Sequence, residues 1–157
     1  MLEYINIDTS NYEIMLCQMT DYYRNAEDAD TPQQEIEDFI HMLFDMIQLG
    51  SIRGKLLYYD NVAVGFVLWG IDKEDDMFCE MPGYGTILEI CVNEDCRMNG
   101  IGTAAVNYAE ADMLNNGAKG LYVLAHPDAQ GFWQRLGYID SGNIGGNKLP
   151  VCIKAIE

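Results

Sequence analysis

Ile87-Leu88-Glu89-Ile90-Cys91-Val92 runs directly into Asn93-Glu94-Asp95-Cys96-Arg97-Met98-Asn99-Gly100-Ile101-Gly102-Thr103, and the reading of this stretch decides the fold. The apolar run, bounded by Tyr84-Gly85 and Asn93, has the length of a buried strand, and the small residues after Gly102 open a helical pattern. The turn between them carries Arg-x-x-Gly-x-Gly. Such a turn bares backbone N–H groups at a helix N-terminus, where the dipole favours an anion such as a pyrophosphate. Glycine suits the position because a Cβ would hold the phosphate away from the backbone. Glycines also gather at strand-to-helix turns for tight packing alone, so the loop by itself does not settle the matter. Two other phosphate loops are ruled out: there is no Gly-Lys-Ser/Thr, and Gly-x-Gly-x-x-Gly would need glycine where Ala105 stands.

Working outward, Leu2 to Ile7 alternates as a half-buried strand, and Ser10-Asn11-Tyr12-Glu13 reads as a capping box for a helix to about Tyr23. After the acidic break 25–30, Thr31 is the expected N-cap of a second helix, with Pro32 at its first position and Gln34 closing the box. Ile36, Phe39, Ile40, Leu43, Phe44 and Ile47 form one apolar stripe on it, read as core, and Gly50 ends it. Lys55 to Tyr59 and Val62 to Gly70 read as a hairpin joined by Asp60-Asn61. Gly65 inside the second run predicts a bulge or a close backbone neighbour. An acidic loop, 72–83, precedes the organising strand, whose helix runs to about Asn116 and stops at Gly117. Gly120 to Ala125 is a further strand, Asp128 is the expected N-cap of a short helix stopped by Gly137, and 138–141 and 149–156 are the last strands. The order β-α-α-β-β-β-α-β-α-β-β makes an α/β (α+β) fold.

At 157 residues, about half of them apolar, the chain reads as one domain, 1–157, with a sizeable core. No apolar run reaches the roughly twenty residues of a membrane span and the N-terminus is not built as a signal peptide, so a cytoplasmic protein without a membrane partner is expected. Five cysteines without Cys-x-x-Cys, apart from the two histidines, indicate neither a disulfide framework nor a metal site. Residues 1–96 hold 20 acids against Arg24, Arg53, Lys55 and Lys73, whereas 97–157 are balanced at five of each sign. The net charge of −16 thus lies wholly in the first part, and it argues against nucleic acid, whose phosphates want Lys and Arg.

With Val92 five residues before Arg97, the organising stretch resembles the acetyl-CoA loop of the GNAT superfamily of N-acetyltransferases, usually Val-x-Pro-x-x-Arg-x-x-Gly-x-Gly/Ala, with Glu94 where the proline is usual. Ala129-Gln130-Gly131-Phe132-Trp133-Gln134-Arg135-Leu136-Gly137-Tyr138 resembles the family's Ala-x-x-Phe-Tyr-x-x-Leu-Gly-Phe helix. The element order is also that of the family, so the resemblance covers nearly the whole chain. It implies a single GNAT-like domain with a mixed, mostly antiparallel central sheet flanked by helices. It also implies transfer of the acetyl group of acetyl-CoA, the cosubstrate, to a primary amine by direct attack on the thioester.

Acetyl transfer needs a held thioester, a neutral amine, a donor to the developing oxyanion and a proton for the leaving thiolate. The resemblance places the pantetheine arm along Ile90, Cys91 and Val92, with the Val92 N–H as oxyanion donor. The pyrophosphate would lie on backbone N–H groups of Arg97, Met98, Asn99, Gly100, Ile101, Gly102 and Thr103, and Gln130 and Trp133 would line the cofactor. Glu89, on the same face as Cys91 by alternation, is the candidate base, against the alternative of a glutamate simply paired with a cation. His126, at the end of the next strand, is the reserve base. Trp133 stands where the family often has a tyrosine, and indole cannot release its proton as an acid. The acid role passes to Tyr138, with Tyr122, Tyr108 or water as alternatives. Cys91 and Cys96 as acyl nucleophiles are disfavoured, having no adjacent histidine.

The tryptophan keeps a rival reading open, a CoA-binding sensor or regulatory module that has lost the chemistry. Under the main reading the acceptor is a small-molecule or peptide amine. In the fold that the resemblance implies, its cleft would be walled by the helix pair near residues 21–38, with seven acids against Arg24, and by the loop before the organising strand, with five acids against Lys73, a polarity that suits an acceptor with more than one positive charge. A homodimer is compatible with everything above.

Overall fold

The structure, a computed structural model, describes residues 1–25, 29–76, 79–97 and 99–156. The hydrophobic periods resolve into strands β1 (Leu2–Asn6), β2 (Arg53–Tyr59), β3 (Val62–Ile71), β4 (Gly85–Val92), β5 (Leu121–Leu124), β6 (Ile139–Ile144) and β7 (Pro150–Lys154). The helices are α1 (Tyr12–Asn25), α2 (Gln33–Gln48), α3 (Ile101–Asn115) and α4 (Gln130–Arg135). Chain order is as predicted. The strands make one seven-stranded sheet, β1-β2-β3-β4-β5-β7-β6. β1 runs antiparallel to β2 from Leu2↔Tyr59 to Asn6↔Lys55, and β7 is antiparallel to both β5 and β6. β4 and β5 run parallel, at Gly85↔Leu121 and Thr86↔Tyr122.

The chain divides into two compact units, Met1–Leu68 with Glu89–Ala105, and Trp69–Leu88 with Val106–Glu157. In the first, the stripe on α2 turns Ile36, Ile40 and Leu43 fully inward, with Phe39, Phe44 and Ile47 half-buried at its margins. Tyr12 and Tyr23 of α1 meet Phe44 and Phe39 at ring distances of 5.3 and 6.4 Å. Asp60 and Asn61, both at positive φ (50° and 66°), make the two-residue turn of the β2–β3 hairpin, a conformation these two residue types tolerate.

Three caps differ from expectation. The box at the start of the chain is Asp8–Asn11: the Asp8 carboxylate accepts from Ser10 N–H and the Asn11 side chain accepts from Asp8 N–H, which builds a 3-10 turn, Thr9–Asn11, ahead of α1. The Thr31–Gln34 box does not form. The Thr31 carbonyl accepts from Arg24 Nη1, Pro32 becomes the N-cap, and Gln34 turns to Asp38. Asp128 lies inside a second 3-10 turn, Pro127–Ala129, which runs straight into α4, so Ala129 holds the cap position without a side-chain bond.

The feature that positions the site is an irregularity in β4. The Asp72 N–H donates to the Tyr84 carbonyl and the Asn93 N–H to the Val64 carbonyl, which ties β3 to β4 at two points. Between those points β3 advances eight residues and β4 nine, so β4 carries one residue too many, the signature of a β-bulge. Gly65 locates it. A Cβ at position 65 would stand 2.0 Å from the Cys91 carbonyl oxygen and 3.0 Å from Val92 Cα. In a regular ladder no carbonyl occupies that volume, because a Cβ stands out of the sheet plane and the carbonyls lie in it. The Cys91 carbonyl is therefore turned toward β3, and the Val92 N–H of the same trans peptide points away from β3.

Gly65→Ala should consequently lower stability by about 2 kcal/mol or more, since backbone rather than a flexible side chain must yield. Urea midpoints measure it. Gly131→Ala, whose new Cβ would meet nothing nearer than Arg135 at 3.5 Å, is the neutral control.

Candidate active site

Beyond the bulge the chain makes a 3-10 turn, Glu94–Cys96, and then the loop into α3. Arg97 Nε donates to the Val92 carbonyl at 3.1 Å, which ties the loop back to the end of β4, and Asn99 Nδ2 reaches the Cys96 carbonyl at 3.4 Å. Gly100 stands at φ +75°, a conformation glycine adopts without strain, and nothing lies within 4 Å of where its Cβ would be. The Ala104 N–H closes the first helical bond on the Gly100 carbonyl at 3.0 Å. Preceding it, Ile101, Gly102 and Thr103 occupy the first turn of α3, where N–H groups have no intrahelical acceptor. An exposed, Cβ-free turn against a helix N-terminus is a cradle of the kind a pyrophosphate requires, and these residues fit the group the sequence assigns to them. Met98 lies outside the described residues.

At the end of β4 the Cys91 thiol is buried, which pushes its pKa up to about 11; the Arg97 charge opposes the shift, while Glu89 and Asp21 add to it. At neutral pH this sulfur is a protonated thiol and a poor nucleophile. Glu89 is half-buried, as are Ile90 and Val92. Of the predicted residues, Glu89, Ile90, Cys91, Val92, Arg97 and 99–103 belong to the first unit.

His126, Gln130, Trp133 and Tyr138 belong to the second unit. His126 is exposed, at the start of the turn into α4, and Gln130, half-buried, is the first residue of that helix. Trp133 is buried, its ring edge-on to Tyr138 at 5.3 Å. Tyr138 is 1% exposed and donates its hydroxyl proton to Glu110 Oε2 at 2.6 Å; Lys154 Nζ bonds the same carboxylate at 2.9 and 3.2 Å. Burial, and then the Glu110 charge, raise the Tyr138 pKa well above that of a free phenol. Tyr122 is held likewise, donating to Asp72 Oδ2 at 2.5 Å, with burial first and Asp72 second raising its pKa. Tyr108 is exposed, edge-on to Trp69 at 6.0 Å.

The predicted acidic walls divide. Asp21, Asp30, Glu35 and Asp38 are exposed and Glu37 is half-buried, while Glu27 and Asp28 lie outside the described residues. In the other segment Lys73, Glu74 and Asp75 are exposed, but Asp72 is turned inside. Its Oδ2 accepts from the N–H groups of Glu80 and Met81 at 2.8 and 2.9 Å as well as from Tyr122. Glu80 in turn accepts from Gly146 N–H at 2.7 Å. Asp72 is thus the hub of its loop and not part of an acidic surface, a role that an aspartate in an acidic stretch does not advertise.

The Acetyltransferase (GNAT) family matches residues 12–138, most of the chain, and the chain belongs to that family. It is an acyltransferase, with acetyl-CoA as its cosubstrate. No curated protein matches it. Among solved structures it is similar to a PaiA N-acetyltransferase from Thermoplasma acidophilum in complex with coenzyme A, at 14% identity and TM-score 0.75 over 99% of each chain. A GNAT-family acetyltransferase from Staphylococcus aureus Mu50 matches over 100% of each chain at 12% identity and TM-score 0.77. AAC(6')-Iy, in complex with the bisubstrate analog CoA-S-monomethyl-acetylneamine, matches at 13% identity and TM-score 0.66 over 87% of this chain and 86% of its own. At such identities the likeness is one of fold. Among the described residues no helix is long and apolar enough to cross a membrane, and no group of His, Cys, Asp and Glu could hold a metal ion.

Acetyl-CoA should raise the melting temperature of the protein, and Gly102→Val should remove that rise, because a branched side chain in the first turn of α3 would stand where the phosphates approach. Thermal shift with and without acetyl-CoA reads it. A full ligand-induced shift in the variant would place the pyrophosphate elsewhere.

Proposed function

We propose that this chain, acting as a single catalytic domain, N-acetylates a primary amine on a cationic small-molecule or peptide acceptor by direct attack on the thioester. The observation that carries the reading is the turned Cys91–Val92 peptide, which directs the Val92 N–H away from β3 just ahead of the helix-terminal anion cradle. One backbone donor and one phosphate site, joined by a few residues of β4 and its loop, supply both halves of what a thioester carrier needs. Bound acetyl-CoA supplies an activated acyl carbon and a leaving thiolate. The chain's own part is fourfold. Residues 97–103 hold the phosphates, and Ile90, Cys91 and Val92 line the arm. The Val92 N–H donates to the oxyanion, and Glu89 takes the ammonium proton, directly or through water. Gln130 and Trp133 of α4 support the cofactor.

A thiol is acidic enough, with a pKa of about 8.5, to leave without strong assistance, so water suffices as the final proton source. Tyr138, with its proton committed to Glu110, is proposed to serve by fixing α4 through Trp133, and His126 is the reserve base. That commitment is also the observation favouring the second reading, a CoA-binding sensor without turnover. Release of free thiol from acetyl-CoA over a panel of amines decides between them, since tight binding with no turnover on any amine belongs to the sensor. A cytoplasmic location and a homodimer remain part of the proposal.

With an amine substrate in hand, Glu89→Gln should lower kcat/KM at neutral pH by about a hundredfold or more, and the deficit should shrink as pH approaches the amine pKa. A deficit constant with pH would instead make Glu89 a support of the site. The exposed acids predict a second outcome. Between about 10 and 300 mM salt, as the Debye length falls from about 30 Å to under 8 Å, kcat/KM for spermidine should drop far more than for n-butylamine. Parallel losses would reduce the acidic segments to a solvated surface.

A further inference from the structure

Val92 presents more than a donor. In an extended strand a residue's own N–H and C=O leave the backbone on the same side, as the paired bonds of a ladder require. The Asn93 N–H donates to the Val64 carbonyl of β3 at 2.7 Å, so the other end of that planar trans peptide, the Val92 carbonyl, points away from β3. The Val92 N–H points the same way, as the turned Cys91 carbonyl requires. An oxyanion drawn to the N–H would therefore meet a carbonyl oxygen beside it, the negative end of a peptide dipole of about 3.5 D. Left bare, that oxygen opposes the charge the N–H is there to receive. It is not bare: Arg97 Nε donates to it at 3.1 Å. Arg97 is exposed, yet its side chain is turned back onto the end of the strand. Asn93 holds the far side of the same peptide, adding a bond from Nδ2 to the Ala63 carbonyl at 3.4 Å to the one from its N–H. The 92–93 peptide is thus gripped at both ends, immediately after the donor.

We infer that the Arg97 side chain is a positioning residue for the oxyanion donor: Nε caps the Val92 carbonyl and holds the 92–93 peptide, so that the Val92 N–H meets the oxyanion without a competing acceptor. An arginine ahead of a glycine-rich turn invites the reading of a phosphate ligand. Here its Nε serves the thioester end of the cofactor instead. The inference rests on the transferase reading above and adds to it the group that keeps its oxyanion donor usable.

Three substitutions separate a donor at the ε position from a positive charge. Arg97→Gln places an amide nitrogen as many bonds from Cα as Nε and removes the charge, Arg97→Lys keeps the charge and puts a methylene there, and Arg97→Met has neither. With spermidine as acceptor and acetyl-CoA saturating, Arg97→Lys and Arg97→Met should each lower kcat about tenfold, the loss of one hydrogen bond from a charged group, and Arg97→Gln should recover most of that loss. Acetylpantetheine, which lacks the phosphates, is the second cosubstrate, and kcat/KM for it should fall in the same order and by a similar factor. Melting temperatures of the three variants should not follow that order. If activity instead follows charge, with Arg97→Lys intact and Arg97→Gln impaired, and the deficit vanishes on acetylpantetheine, Arg97 is a phosphate ligand and the inference is wrong while the transferase stands. Three variants as active as the original protein overturn it too, as does a loss of activity that runs parallel to a fall in melting temperature. If the unaltered protein releases thiol with neither spermidine nor any amine of the panel, the transferase reading fails first, and this assignment with it.

Discussion

Everything that makes β4 a platform depends on an atom that is missing. The Cys91 carbonyl occupies the space where any residue but glycine at 65 would carry a Cβ, at 2.0 Å. That contact lets one strand hold an extra residue beside a neighbour that has none, and the Cys91–Val92 peptide leaves the regular ladder. A bulge of this kind is a local loss for the sheet, because it forgoes regular pairing. Under the reading proposed above, that loss is what orients a backbone donor beside the loop that opens α3.

The second unit solves a different problem, that of keeping carboxylates inside. Asp72 gathers two backbone N–H groups and a phenol, and Glu110 gathers a phenol and an ammonium. In each case the oxygens are met by donors, the condition under which a buried charge is tolerable. The two tyrosines donate their hydroxyl hydrogens to these networks and keep their protons, so the phenols named as candidate general acids are the ones least free to act as acids. Geometry here overrides residue type.

That contrast bears on how far the sequence could be read. Glycine and apolar period speak locally: Gly50, Gly117 and Gly137 all stand at positive φ where helices were expected to stop, and Gly65 has the close backbone neighbour that a glycine inside a strand implies. The strand-turn-helix of the loop, the element order and the family were legible for the same reason. Caps were less so, because several Ser, Thr, Asp and Asn residues compete near each helix start. A single contact, such as Arg24 on the Thr31 carbonyl, shifts the choice. The burial of Asp72 and Tyr138 depends on partners 50 and 28 residues distant, and nothing in the local pattern reports them.

β6 closes the sheet at one edge, and every one of its residues is exposed, Ile139 and Ile144 at 73% and 65%. An open strand end with two bare isoleucines is a template for chain-to-chain aggregation. Its register on β7 shifts between Asp140 and Ile144, Gly142 stands at φ +85°, and the N–H groups of Gly142 and Asn143 donate to the side chains of Asp140 and Ser141. Two of the donors in the strand are thereby engaged by its own side chains, and the strand is bent between its apolar residues. The edge is blunted against runaway stacking into fibres, a protection that matters most while the protein is newly made and crowded by copies of itself.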